Sequence, residues 1–579
     1  MYNDDNNKKD IIGRECKFVV HIPAIEDKRK DAHYIKETIH YSDNTTESST
    51  RLIFDFKRPF WITKKHFQNH KDKKEAENID RLNEFSSTQS DLPKAIASRL
   101  GDSRYIAAKT LRDVSDSPYI YGATIDSRTI IKKMYMDKYV NIVSENKVCT
   151  LDIETDTVTN KIVIITISMR DKIFTVISKS ILPKIPEEDI KKELDFLWTK
   201  YVPKTDITQS ATREYMIVNT ELDLILEVMK KAHIWKPDFM EVWNIGYDMN
   251  MMLNVLKKNN IKPEDVFSDP NIPKEYRMFK WVEADSSKVT ASNKFKPLNN
   301  EDKWNYVQCP SSFYWIDGMS AHKAIRVGSK TVPGGYSLDN IIISEIGREF
   351  KKLTFIDDEI SNPLAPKVQK EPMIYLKGIQ WHRYMLANKP LHYIVYNMWD
   401  NVSMIHLDDA TGDLKLTIGM LADITSFDIF NSGPKKIVAA LHFFYLENKM
   451  VLGVKPKTLP DVETLGLDDW IVLLPSSRIK ENGLMVILEN PNRHTNARGH
   501  TYDSDQVSGY PSNGQAANVS LDTTVKEIID IYGIPKSLFK LQNMNIMFGS
   551  VNAGEYCRHM FNMPTYDELN KRIDDLLAA

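Results

Sequence analysis

Along the first 145 residues, short apolar runs at 17–22, 51–56, 59–62 and 119–121 alternate with polar insertions, a pattern of brief strands. Residues 1–10 are polar and predict a frayed end, and the charged stretch 64–90 predicts solvated helix or loop. The pattern sharpens beyond 146. Residues 147–153 (KVCTLDI), 161–168 (KIVIITIS) and 172–178 (KIFTVIS) predict three strands, the last two joined by a tight polar turn. Apolar Leu222, Ile225, Leu226 and Met229 recur at helical spacing within 220–231, where Thr220 and Asp223 suit an N-cap. A buried strand is predicted at 238–243, a helix at 249–257, and a polar loop or hairpin insertion at 270–310. Residues 313–316 predict another strand, with Ser337 capping a helix from 338. Leu391, Ile394, Val395, Met398, Val402 and Ile405 predict a long helix over 391–407 behind Pro390, and a second apolar helix follows over 434–447. The chain turns loop-rich after 482, with helices expected at 525–532 and near the C-terminus.

A chain of 579 residues exceeds one hydrophobic core, so two to four domains are expected. The boundaries read as an N-terminal α+β domain at 1–145, an α/β domain at 146–420, and linker helices with a further region at 421–579. No run of about 18 apolar residues is present, and the polar start is unlike a signal peptide. A cytoplasmic protein with no membrane partner is expected. Cys16, Cys149, Cys309 and Cys557 lie far apart in sequence, which predicts buried free thiols, with no zinc knuckle or disulfide framework. A net charge of −2 argues against a histone-like DNA binder, though an enzyme with a local basic channel and an acidic metal site fits it.

Three acidic motifs carry the candidate chemistry. Asp152 and Glu154 are two apart on a strand, so both carboxylates share a face. Buried together they repel, and Mg2+ or Mn2+ prefers such oxygen ligands. Asp248 closes Trp243-Asn-Ile-Gly-Tyr-Asp, where a strand passes into a helix. Tyr396 and Asp400 are four apart on one helix face, a carboxylate for a metal and a phenol able to orient a water. Alone, each has a plain structural explanation: an exposed strand end, a helix cap, a half-buried surface pair. Together they supply four carboxylates, enough for two ions of the kind that hydrolyse phosphodiesters.

In that order LDIETD (151–156), WNIGYD (243–248) and YNMWD (396–400) resemble the three exonuclease motifs of family B DNA polymerases. FYWID (313–317) and GGYSLDNI (334–341) are similar to the strand and helix start found between the last two, and T-even phage polymerases are the nearest analogy. The second motif is one residue shorter than in most cellular members, as in protein-primed phage enzymes, and the long 248–400 spacing implies an insertion. Asp505-Gln-Val-Ser-Gly-Tyr510-Pro-Ser512 is similar to the first polymerase motif, with Gly509 where Leu is usual and a polar stretch at 500–504 before it. The resemblance implies a ribonuclease H-like exonuclease domain with a mixed sheet flanked by helices, an N-terminal domain and a partial palm. It implies that Asp505 binds a palm metal and that Tyr510 stacks under the incoming nucleotide. After Ser512 neither the fingers motif nor the second palm carboxylate motif is found, 540–549 being a faint echo.

The expectation is therefore a 3′→5′ proofreading exonuclease acting on single-stranded 3′ ends and primer–template DNA. Asp152, Glu154, Asp248 and Asp400 would hold two Mg2+ or Mn2+ ions, and Tyr396 would orient the attacking water. A second polypeptide would complete the polymerase with fingers, remaining palm and thumb. A stand-alone exonuclease and a non-catalytic DNA-binding scaffold are the competing readings. Intact carboxylates speak against the scaffold, and Asp505 with Tyr510 speaks against the stand-alone nuclease.

Overall fold

The computed structural model describes residues 10–454 apart from 71–72, 75, 290–294, 327–331, 333, 354 and 356–377. Beyond 454 it describes 478–481, 484–487, 547–548, 551–552 and 571. The chain forms two compact units. One comprises Met1–Asn69, Ala76–Val114 and Tyr119–Leu452, and the other His70–Glu75, Ser115–Pro118 and Gly453–Ala579. Among the described residues of the second unit, Arg478–Glu481 pairs with Leu484–Ile487 and Met547–Phe548 with Val551–Asn552, both antiparallel. The helix expected at 525–532 lies outside the described residues, as do Cys557 and most of 500–579.

The first unit begins with an antiparallel sheet of β1 (Ile11–Ile22), β2 (Ala32–Tyr41) and β3 (Thr46–Phe54). Alternation along β1 sends Phe18, Val20 and Ile22 to one face, where they pack with Tyr34, Phe239, Tyr314 and Ile316. Val19 faces the other way and so, across a register shift between Cys16 and Phe18, does Cys16, against Ile131 and Tyr135 of α1 (Ser127–Lys138). Covering on both faces explains why β2 escapes the sequence pattern. Its polar residues are buried and paired: Lys36 Nζ donates to the carbonyls of Ser312 at 2.7 Å and Lys236 at 3.0 Å, and Glu37 accepts from the Tyr135 hydroxyl at 2.6 Å.

The charged stretch 64–90 departs from expectation. Leu82–Ser87 is a strand paired with Arg58–Thr63, which pairs in turn with Ile120–Tyr121. Leu82 and Ser87 are buried while Asn83, Glu84 and Ser86 between them face solvent, so the strand is half-solvated and its sequence looks like loop.

A six-stranded mixed sheet organises the rest. Its strands are β4 (Val148–Asp156), β5 (Lys161–Met169), β6 (Lys172–Ser178), β7 (Thr212–Val218), β8 (Phe239–Val242) and β9 (Tyr314–Asp317). The order is β7-β6-β5-β4-β8-β9. Strand β5 is antiparallel to both neighbours, whereas β8 runs parallel to β4 and β9. Helices cover both faces, which makes the unit mixed α/β. On one side α3 (Glu221–Trp235) and α4 (Ile245–Lys258) pack Leu224, Val228, Met249 and Met252 on Leu151, Ile153 and Ile167. On the other, α2 (Glu187–Tyr201) and α8 (Pro390–Thr411) set Leu194, Trp198, Met398 and Val402 against Ile164, Ile173 and Ile177. Between them in sequence come α5 (Gly318–Ile325), α6 (Leu338–Glu345) and α7 (Ile379–Asn388). Thr220 caps α3 and Ser337 caps α6, as expected, through side-chain oxygens accepting from Asp223 N and Asn340 N. The apolar helix expected over 434–447 spans Gly433–Glu447. No helix among the described residues is long and apolar enough to cross a membrane.

Candidate metal centre

Leu151 and Ile153 of β4 point into the α3–α4 core, so Asp152 and Glu154 point to the opposite face, where α8 lies. That helix is buried almost all round from Tyr393 to Ile405, so its polar residues must find partners inside the fold. Asp400 reaches β4 from this side. Asp152, Glu154 and Asp400 each present a carboxylate oxygen within 4.8 Å of the others, although the chain brings them from far apart.

Asp248 enters from α4, the helix that follows the neighbouring strand β8. It was expected just ahead of a helix starting at 249, but α4 starts at Ile245. Asn244 stands at the N-cap position without a side-chain cap bond, so Asp248 sits inside the first helical turn. It lines one cleft of about 400 Å3 with Asp152, Trp243, Tyr247, Tyr336 and Lys352, outside the tighter three-carboxylate group.

The electrostatics follow from burial. Burial, reinforced by Glu154, Asp248 and Asp400, pushes the Asp152 carboxyl well above its usual range. Burial and Glu154 do the same to Asp248. Asp400 is also raised, chiefly by burial, with Lys352 opposing the shift. The site therefore favours positive charge. One part of that charge is built in: Lys352 Nζ donates to Asp400 Oδ2 at 2.7 Å and to the Tyr396 hydroxyl at 3.0 Å. The other oxygen, Asp400 Oδ1, is buried with no hydrogen-bond partner. An orphaned carboxylate oxygen beside two further carboxylates suits a hard divalent cation. These acidic side chains could hold a metal ion, and so could a second group, His21, Asp31 and His33.

Four supporting residues went unrecognised in the sequence. Asn397 Nδ2 donates to Asp152 Oδ2 at 2.7 Å, and the Tyr393 hydroxyl donates to Glu154 Oε2. His382 Nδ1 lies 2.8 Å from that hydroxyl and 3.6 Å from Glu154 Oε2. Tyr393, Tyr396, Asn397 and Asp400 fall at i, i+3, i+4 and i+7, a polar stripe along one face of the helix. That stripe was a readable signal. Lys352 follows α6 and has no periodic mark. Asp505 and Tyr510 lie outside the described residues.

Comparison with protein-family profiles finds no match, and comparison with curated proteins finds none either.

Proposed function

We propose that this chain is a metal-dependent 3′→5′ DNA exonuclease with a ribonuclease H-like catalytic domain, and that it is the proofreading portion of a family B-type DNA polymerase. One observation carries the reading: Asp152, Glu154 and Asp400, predicted as partners from sequence order, meet within 4.8 Å on a buried strand and helix. The sheet order supports it, because a β4–β5–β6 meander extended by parallel β8 and β9 is similar to the ribonuclease H arrangement.

In this reading Asp152, Glu154, Asp248 and Asp400 hold two Mg2+ or Mn2+ ions. When bound, such ions supply a water of lowered pKa and offset charge on the phosphate. The protein's own groups do the placing. Asn397 fixes the Asp152 carboxylate and Tyr393 the Glu154 carboxylate. Tyr396 orients the attacking water, while Lys352 holds Asp400 and that phenol in register. The 3′-terminal nucleotide stacks in the cleft on Trp243, Tyr247 and Tyr336, contacts that every base can make. Polymerisation would require fingers, the remaining palm and thumb, with Asp505 and Tyr510 contributing to the palm.

Lys352→Met keeps the aliphatic stem and removes the charge. It is expected to lower kcat about 10–100-fold with KM for DNA nearly unchanged, since it acts through Asp400 and Tyr396. Single-turnover digestion measures it, and a defect confined to KM contradicts the role. The reading as a whole is tested on a 5′-labelled primer–template with a mispaired 3′ end, in Mg2+ with and without dNTPs. Shortening without extension is expected. Extension would contradict the incomplete palm, and an unshortened primer would contradict the nuclease.

A further inference from the structure

A second group of potential ligands sits in the N-terminal sheet, independent of the carboxylate cluster. His21 on β1 and His33 on β2 are directly opposed in the strand register, and Asp31 immediately precedes β2. His33 and Asp31 are buried, with 0% and 2% exposure, and the His21 side chain is 18% exposed.

The hydrogen bonding leaves a gap at the centre. His21 Nε2 lies 2.8 Å from Asp31 Oδ2, which also accepts from the Ser90 amide at 3.0 Å. His33 Nε2 lies 2.7 Å from Ser127 Oγ. That leaves His33 Nδ1 and Asp31 Oδ1, 3.9 Å apart. Neither has a hydrogen-bond partner, and both atoms are buried. In the tautomer that donates Nε2–H to Ser127 Oγ, Nδ1 carries a lone pair 3.9 Å from a carboxylate oxygen. Two acceptors facing each other in a dry interior repel unless a cation lies between them.

We propose that His21, Asp31 and His33 form a buried site for a borderline divalent transition metal, with Zn2+ the best fit. Imidazole nitrogens with one carboxylate suit Zn2+ better than Mg2+ or Ca2+, which prefer oxygen alone. Donors about 2.0–2.1 Å from a tetrahedral ion stand roughly 3.3 Å from one another. His21 Nε2 and Asp31 Oδ2 at 2.8 Å, and His33 Nδ1 and Asp31 Oδ1 at 3.9 Å, lie on either side of that value, and one ligand atom from each residue falls within 4.8 Å of the others. Ser127 supplies the outer hydrogen bond that orients a ligating imidazole. The nearby Arg128 guanidinium is tied between Asp126 at 2.7 Å and Asp428 at 2.8 Å. The ion's role is structural: it joins β1 to β2 and, through Ser127, to α1.

The test uses the full chain carrying Asp152→Ala and Glu154→Ala, which removes the carboxylate cluster as a competing site. After chelation and dialysis, calorimetric titration with Zn2+ is expected to show one tight equivalent. Adding His21→Gln and His33→Gln is expected to weaken it at least about 100-fold. Absence of Zn2+ binding in the first variant, or equal binding after the histidine changes, overturns the proposal. X-ray absorption at the zinc edge, on the protein with both histidines intact, needs no buried substitution. Multiple scattering from two imidazoles is expected, and oxygen-only coordination overturns the assignment.

Discussion

Replacing Asp152 and Glu154 together by alanine is expected to lower the exonuclease rate at least about 10³-fold, some 4 kcal/mol of barrier, while the chain stays folded. Both residues lie on β4, whose core contacts come from Leu151 and Ile153 on the other face. Their removal leaves that packing untouched. It also relieves repulsion, because burial and three neighbouring carboxylates hold Asp152 well above its usual pKa. Asn397 loses its carboxylate partner, but the Tyr393 hydroxyl keeps His382 at 2.8 Å. The melting temperature should therefore hold or rise while turnover vanishes. Mononucleotide release and thermal melting measured on the same preparation check this. A variant retaining a tenth of the rate would place the chemistry elsewhere.

Arg128→Ala is expected to cost about 3–5 kcal/mol of stability without changing the exonuclease rate at low temperature. Arg128 links α1 to Asp428, with a further bond to Ser426 at 3.1 Å. Asp428 is buried, and its Oδ1 already lacks a partner. Without the guanidinium, Asp428 keeps only Gln308 Nε2 at 3.4 Å. A buried carboxylate left without its cation is far more costly than the pair itself was worth. Arg128→Lys should recover part of the loss, since one ammonium cannot reproduce the fork that spans Asp126, Ser426 and Asp428. Urea denaturation of the three proteins measures the series, and an alanine variant within about 1 kcal/mol of the parent would contradict the account.

The acidic centre was legible because its signals are local. The i, i+2 spacing put Asp152 and Glu154 on one strand face, and the i, i+4 spacing put Tyr396 and Asp400 on one helix face. The apolar run beside Asp152 marked a buried strand, which it is. What escaped depends on tertiary context. Lys352 acquires its role only because the chain after α6 passes over α8. Strand β2 was missed because His33, Lys36 and Glu37 look like solvent-facing residues, and a sheet covered on both faces defeats the alternation rule. The pairing of His21 with His33 depends on strand register, which spacing along the chain does not encode. The start of α4 lies four residues earlier than expected, at Ile245, because Asn244, a favoured N-cap residue, occupies the cap position in place of Asp248.

The most direct test of the central claim is digestion of 5′-labelled single-stranded DNA by the unmodified chain, with Mg2+ and with excess chelator. The account predicts a ladder shortening one nucleotide at a time from the 3′ end, release of nucleoside 5′-monophosphates, and no cleavage in chelator. Internal cuts, shortening from the 5′ end, or equal rates with and without metal would contradict it.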